Sequence, residues 1–185
     1  MTGLIVAFAL LVAAVVYFTA IHRGLVGLRA NIKDAWAGID GLFKLRHDEL
    51  PKLVEICRRH LLDEPRTFEK IMRARAAVDR ARQAGDVAAV GAAERQLRAA
   101  MASLHPSLET HPQLHSDPAF ARLHARLAAL DTAIADRREC YNQQVNLNNI
   151  RVDKLPDALL AGRFGYQRAQ LFEFIDEDRR VQDGA

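Results

Sequence analysis

From Leu4 to Ile21 the chain reads LIVAFALLVAAVVYFTAI, 18 residues without a charged side chain. At 1.5 Å per residue this predicts a helix about 27 Å long, close to the roughly 30 Å hydrocarbon core of a bilayer. The segment is apolar all round, whereas a helix in a soluble core shows polar residues at helical spacing. Past Ile21 the pattern narrows to a stripe. Leu25, Leu28, Ile32, Ala35, Ile39, Leu42, Arg46, Glu49, Leu53, Ile56 and His60 alternate in steps of three and four, and Trp36, Phe43, Leu50, Val54, Cys57 and Leu61 widen it. No strong breaker lies between Ile21 and Leu50, so the spacing predicts one rod running from the apolar segment into the striped helix. Pro51 is expected to kink it near His47, because proline has no N–H and its ring clashes with the carbonyl four residues back.

The remaining prolines punctuate the chain. Asp63-Glu64-Pro65 reads as a cap and a first-turn proline opening a second helix. That helix carries Phe68, Ile71, Met72 and Val78, meets a weak point at Gly85-Asp86, and resumes with Val87, Val90, Leu97, Met101 and Leu104. Pro106, Pro112 and Pro118 bracket a polar connection, His105 to Ser116. Asp117-Pro118 opens a third helix on which Phe120, Leu123, Leu127, Leu130, Ile134, Arg137, Tyr141, Gln144, Asn148 and Val152 step by three and four, ending before Pro156. Gly162 to Gly165 reads as a turn, and Tyr166 to Arg180 as a last short helix with Leu171, Phe172 and Ile175 inward. The expected fold class is all-α. An N-terminal transmembrane helix (residues 1–22) continues into a long antiparallel helical bundle of three long helices plus a short C-terminal helix (residues 23–185).

Composition agrees with helices. Hydrophobic residues make up 50% and charged residues 26%, which excludes a disordered chain, and aromatics at 6% disfavour a β-sandwich. The net charge of +3 is spread among interleaved acids and bases. Arg73 with Arg75, and Arg137 with Arg138, lie near Asp79, Asp131, Asp136 and Glu139, so these runs read as solvated ion-pair faces, and no nucleic-acid partner is expected. Charge also orients the anchor. Met1-Thr2-Gly3 holds no lysine or arginine, while Arg23, Arg29 and Lys33 follow the apolar segment closely. The positive-inside rule places the N-terminus outside and the domain after Ile21 in the cytoplasm. The missing basic n-region also argues against a cleaved signal peptide, as does Phe18 close to a cut after Ala20.

Motifs for chemistry are sparse. The chain contains no glycine-rich phosphate loop, nucleophile elbow or paired-histidine zinc-protease motif. His105, His111, His115 and His124 surround the proline-rich connection. His111 and His115 have the four-residue spacing of helix-borne metal ligands, but Pro112 lies between them, so a polar loop is the expectation and no metal or cofactor is expected. Cys57 and Cys140 lie on apolar stretches and read as buried, inert thiols. A di-iron enzyme in the bundle core would need inward glutamates with Glu-x-x-His pairs, which the sequence lacks. Catalytic, cofactor-binding and metal residues are therefore expected to be none.

Arg46 is the exception on the stripe, standing where an apolar residue belongs. It should be buried and paired. Taking three helices of alternating direction, with the third parallel to the first, its level meets Asp79 on the second and Tyr141 and Asn142 on the third. The expectation is a structural polar clamp of Arg46, Asp79, Tyr141 and Asn142 that fixes helix register.

Four segments in order then resemble the LemA family of bacterial membrane proteins. Trp36 followed by Leu45-Arg46-His47-Asp48-Glu49-Leu50-Pro51-Lys52-Leu53-Val54 is similar to that family's "L-x-R-R-x-D-L-I-P-N-L-V". Glu109-Thr110-His111-Pro112-Gln113-Leu114 is similar to "E-A-Y-P-x-L-K-A", and Arg137-Arg138-Glu139-Cys140-Tyr141-Asn142-Gln143-Gln144-Val145 to "A-R-R-x-Y-N-x-x-V". Arg163-Phe164 and Leu171-Phe172-Glu173 complete the set. The resemblance implies a single-pass protein of the bacterial inner membrane with a helical domain and no established catalysis. It suggests roles in membrane organisation or in assisting neighbouring membrane proteins; with the rod-like anchor, the long stripes and the missing catalytic motif, the expectation is a non-enzymatic scaffold or adaptor. The implied partners are the bilayer, through Leu4 to Ile21, and other membrane proteins or a second copy. A signal-responsive sensor bundle is the alternative, and a metal-dependent enzyme in the bundle core comes last.

Overall fold

The stripe on the first helix decides much of the architecture. The computed structural model describes residues 1–61 and 64–173. Among these it forms seven helices and no strand: α1 (Thr2–His60), α2 (Pro65–Ala84), α3 (Val87–Ala102), α4 (His105–Glu109), α5 (Pro112–His115), α6 (Pro118–Asp153) and α7 (Asp157–Phe164). The rod expected from the sequence is present as α1, a single helix of 59 residues with Pro51 inside it. The carbonyl that Pro51 leaves without its helical donor belongs to His47, and Arg75 Nε of α2 donates to it at 2.9 Å. Residues 4–20 of α1 are exposed, Leu4 at 80%, and α1 is long and apolar enough to cross a membrane.

The chain divides into two compact units, and both α1 and α6 contribute to each. One unit comprises Met1–Ala37 and Glu139–Leu171; the other comprises Gly38–Arg138 with Phe172 and Glu173.

The second unit holds the larger core. Leu50, Leu53, Val54 and Cys57 of α1 meet Phe68, Ile71 and Val78 of α2, Leu97 and Ala100 of α3, and Phe120, Leu123 and Leu127 of α6. Each large side chain so buried contributes about 1.5–3 kcal/mol. The stripe residues Ile39, Arg46, Glu49 and Leu53 are buried, and Leu42, Ile56 and His60 are half-buried. The second helix of the sequence reading is corrected here. Gly85 takes φ +69° as the C-cap of α2, and Asp86 accepts from Ala89 N at 3.0 Å as the N-cap of α3. A left-handed glycine followed by a capping acid ends one helix and starts another, so α2 and α3 form a hairpin. This extra reversal changes the direction of everything after it. Within this unit α6 runs antiparallel to α1: His60 faces Asp117 at 3.7 Å and Arg46 reaches Asp131 at 2.7 Å. Asp117 opens α6 as expected, accepting from Ala119 N at 2.7 Å.

In the first unit, Asn31 donates to Gln144 at 3.5 Å and Trp36 lies 5.5 Å from the Tyr141 ring, so α6 is antiparallel to α1 here too. Gly24 lets the flexible end of an arginine side chain lie close against α1. A Cβ there would come within 2.6 Å of the Arg151 guanidinium, which lies against α1. The chain after Pro156 departs from expectation. Asp157–Phe164, whose last three residues read as part of a turn, is α7, closed by Gly165 at φ +69°. Tyr166 to Glu173, read as the start of a helix, is not helical. Its backbone partners lie on α6: Asn149 donates to Ala169 O at 3.0 Å and accepts from Ala169 N at 2.8 Å, Asn148 donates to Gln167 O at 3.3 Å, and Tyr141 Oη donates to Gln170 O at 2.9 Å. Side chains thus satisfy backbone groups that a helix would have paired internally. The rest of the expected helix, 174–180, lies outside the described residues.

Candidate functional site

Charged groups in the interior mark the place where the fold departs from simple packing. Arg46 is 4% exposed and Glu94 fully buried. Arg46 Nη2 donates to Glu94, and Arg46 Nη1 donates to Asp131 Oδ1 at 2.7 Å. The guanidinium also stands 5.3 Å over the Phe43 ring, whose edge meets Phe172 at 5.9 Å. Three helices converge on this point: α1 through its stripe, α3 through Glu94 and α6 through Asp131. Burial works against the charge on Arg46, but Glu94 and Asp131 outweigh it and the net shift is upward. Burial likewise pushes the Glu94 carboxyl up, with Arg46 opposing. Glu94 Oε1 has no hydrogen-bond partner.

Two further clusters flank the triad. Glu49, buried on the same stripe, takes Lys52 at 3.0 Å and Arg126 of α6 at 3.2 Å. Arg82 of α2 grips both carboxylate oxygens of Asp40, at 2.7 and 3.0 Å. A cavity of about 350 Å³ opens beside the triad, with Leu53, Leu97, Met101 and Leu127 in its walls and Arg46, Arg98, His124 and Asp131 at its polar edge.

The expected clamp is therefore corrected in its partners. Asp79 is engaged on its own helix, with Arg82 at 3.6 Å and Gln83 at 3.1 Å. Tyr141 and Asn142 belong to the other unit, where Tyr141 is buried against Trp36 and bonded to Gln170, and Asn142 is half-buried beside it. The α2–α3 hairpin is the physical reason. It brings Glu94, rather than a residue of α2, to Arg46, and it reverses α6 so that Asp131 replaces Tyr141 and Asn142. Glu94 gave little signal in the sequence, an acid in an alanine-rich run. Its one usable mark was position: it falls four residues after Val90 and three before Leu97, on the apolar face of α3.

The other candidates separate cleanly. Cys57 is buried, and burial raises its thiol to about 11, whereas Cys140 is exposed, against expectation. It occupies an outward position on α6 next to the buried Tyr141. Arg137, placed on the stripe by its spacing, is also exposed. His111 Nδ1 lies 2.8 Å from Ser107 O, and His124 stacks on Phe120 at 5.7 Å.

A family model described as the LemA family matches residues 35–183, and the chain belongs to that family. No curated protein matches the sequence.

Proposed function

Proceeding from membership of the LemA family, we propose that the protein is a non-enzymatic membrane-anchored scaffold or adaptor. It assists membrane organisation or neighbouring membrane proteins. One observation carries the reading: α1 is a single helix from Thr2 to His60, exposed and apolar along residues 4–20 and striped along the remainder. The stretch facing lipid and the stretch facing the core are one element, with no linker between them. Leu4 to Ile21 spans the bacterial inner membrane once, with the N-terminus outside. The remaining chain forms an antiparallel helical bundle in the cytoplasm, because Arg23, Arg29 and Lys33 follow the span and no basic side chain precedes it. The buried charges suit a structural part. Arg46 and Glu94 are paired and buried, and the best-attested use of such a pair is to fix register.

The test is crosslinking in intact membranes from exposed positions of the helical domain, with identification of what is captured. A reproducible membrane-protein partner or a second copy is the expected result. Release of the chain from membranes by alkaline washing would overturn the reading. A reporter fused after Ala185 that is active only outside the cytoplasm should stay silent. A sensor is the second reading, favoured by the cavity beside Arg46. A small molecule that raises the unfolding midpoint of the wild type but not of an Arg98→Ala or Leu97→Phe variant would favour it.

A further inference from the structure

The short helix α7 is built inside out. Asp157 and Ala161, one turn apart, face inward at 8% and 1% exposure, while Leu159 stands 66% exposed and Phe164 56%. Leu155, just before the helix, is 73% exposed, and Ile150, near the end of α6, is 50% exposed. A surface helix in water turns its leucines in and its acids out. Here the acid is inward, paired with Arg151 Nε at 2.5 Å, while Leu159 is outward and Leu160 is half-buried. Such an inversion costs little only where the outward medium is itself apolar.

The position of α7 names that medium. It packs beside the last turns of the apolar segment: the Phe164 ring meets the edge of His22 at 5.0 Å, and Tyr166 Oη lies 3.4 Å from His22 Nε2. A groove of about 620 Å³ runs between the two helices, lined by Val15, Phe18 and Thr19 of α1 on one side and Leu160 and Phe164 of α7 on the other. His22 and Arg23 also line it. The exposed apolar surface of the anchor therefore continues directly onto α7. The polar groups beside this apolar face are basic and exposed: Lys154, Arg163 and Arg23. The nearby acids are engaged, Asp157 by Arg151 and Asp153 by Arg168 at 2.9 Å. Apolar side chains directed outward beside basic ones match the boundary between acyl chains and anionic headgroups.

We propose that α7 is a second membrane contact: it lies in the bilayer interface with Leu155, Leu159 and Phe164 among the acyl chains, its basic neighbours on anionic lipid phosphates. The occupant of the groove is then the acyl chain of a phospholipid whose phosphate meets Arg23. This rests on the reading that Leu4 to Ile21 spans the bilayer, and adds to it a site formed by a segment more than a hundred residues distant in sequence.

The test uses the full chain in lipid vesicles, in a Cys140→Ser background because that thiol is exposed. Single spin labels are placed through Leu159→Cys, Leu155→Cys, Phe8→Cys and Gln143→Cys. Collision with oxygen, which concentrates in lipid, is compared with collision with a water-soluble nickel chelate. The labels at positions 155 and 159 are expected to behave like the label at position 8, favouring oxygen, and the label at position 143 to favour nickel. Replacing half of the phosphatidylcholine with phosphatidylglycerol should deepen the labels at positions 155 and 159, and Arg23→Gln with Arg163→Gln should remove that difference. Nickel access at positions 155 and 159 equal to that at position 143, with the label at position 8 in lipid, would overturn the proposal and leave the anchor standing. Nickel access at position 8 would overturn both. Protection of positions 155 and 159 from oxygen and nickel alike would show that protein, not lipid, covers α7, and equal depth in both vesicle types would overturn the phosphate contact.

Discussion

Arg46 donates a hydrogen bond to Glu94 across 48 positions of sequence, with side-chain exposures of 5% and 0%. The two sit on helices that a short hairpin, not the helical stripe, brings together.

Cutting this pair and replacing it are expected to differ. Arg46→Ala leaves the Glu94 carboxyl buried without its guanidinium partner, a loss of about 3–5 kcal/mol. Arg46→Met with Glu94→Leu removes both charges, and Asp131, whose side chain is 47% exposed, stays hydrated. The double variant should match the wild type or exceed it by about 1–4 kcal/mol. Denaturant titration followed by circular dichroism measures both. A double variant as unstable as the single would show that the triad contributes more than register.

His47 makes stability depend on pH. Its imidazole is held below its ordinary value, first by burial and then by the charge of Arg75, with Asp79 opposing, and its Nδ1 is buried without a partner. The folded state thus favours the neutral ring. The corresponding stability is complete above the ordinary histidine value and is lost as pH falls through the lowered one. Between about pH 7.5 and about pH 5, the unfolding midpoint should fall more steeply in the wild type than in His47→Gln. Parallel curves for the two proteins would dismiss His47 as the source.

Gly91 is expected to tolerate no side chain without loss. A Cβ there would stand 3.2 Å from Glu173 O and 3.6 Å from the Phe172 ring, so Gly91→Ala should push the Phe172 segment off α3. Phe172 is 1% exposed, and Phe172→Ala should cost about 3–5 kcal/mol. Limited proteolysis near residue 170 should be faster in both variants; unchanged cleavage in Gly91→Ala would show that the neighbouring segment gives way freely.

The two thiols should react in sequence. Cys140 is expected to be labelled in the folded protein, and Cys57, buried with its thiol raised to about 11, only after unfolding. Mass measurement after a brief exposure to a maleimide decides it, and equal labelling would show that the Cys57 region opens readily.

The stripe on α1 was legible because packing imposes a period: every residue from Leu25 to His60 named on it is buried or half-buried. The hairpin was harder to read, since Gly85-Asp86 interrupts an otherwise helical composition and a glycine within a helix looks much like one that ends it. The error then spread. With one reversal missing, the pattern directs α6 the wrong way, and the level of Arg46 falls at Tyr141 instead of Asp131. Tyr166 to Glu173 misled for a different reason. Leu171 and Phe172 stand at helical spacing from Ile175, but Asn148, Asn149 and Tyr141 capture the backbone, and distant side chains leave no local trace.

The division of the chain has a consequence in time. The unit that holds the apolar start of α1 is assembled from Met1–Ala37 and Glu139–Leu171, so its halves leave the ribosome far apart. At about 5–20 residues per second, the roughly one hundred residues between them take about 5–20 s to synthesise. Throughout that interval Ile21 and Leu25, buried in the finished protein, have been made while the α6 and α7 residues of their unit have not. The segment Gly38–Arg138, by contrast, supplies nearly all of its own unit and can begin to pack as it emerges. Completion of that unit thus waits on the second half of the chain, and the newborn chain carries Ile21 and Leu25 with their packing partners still unmade.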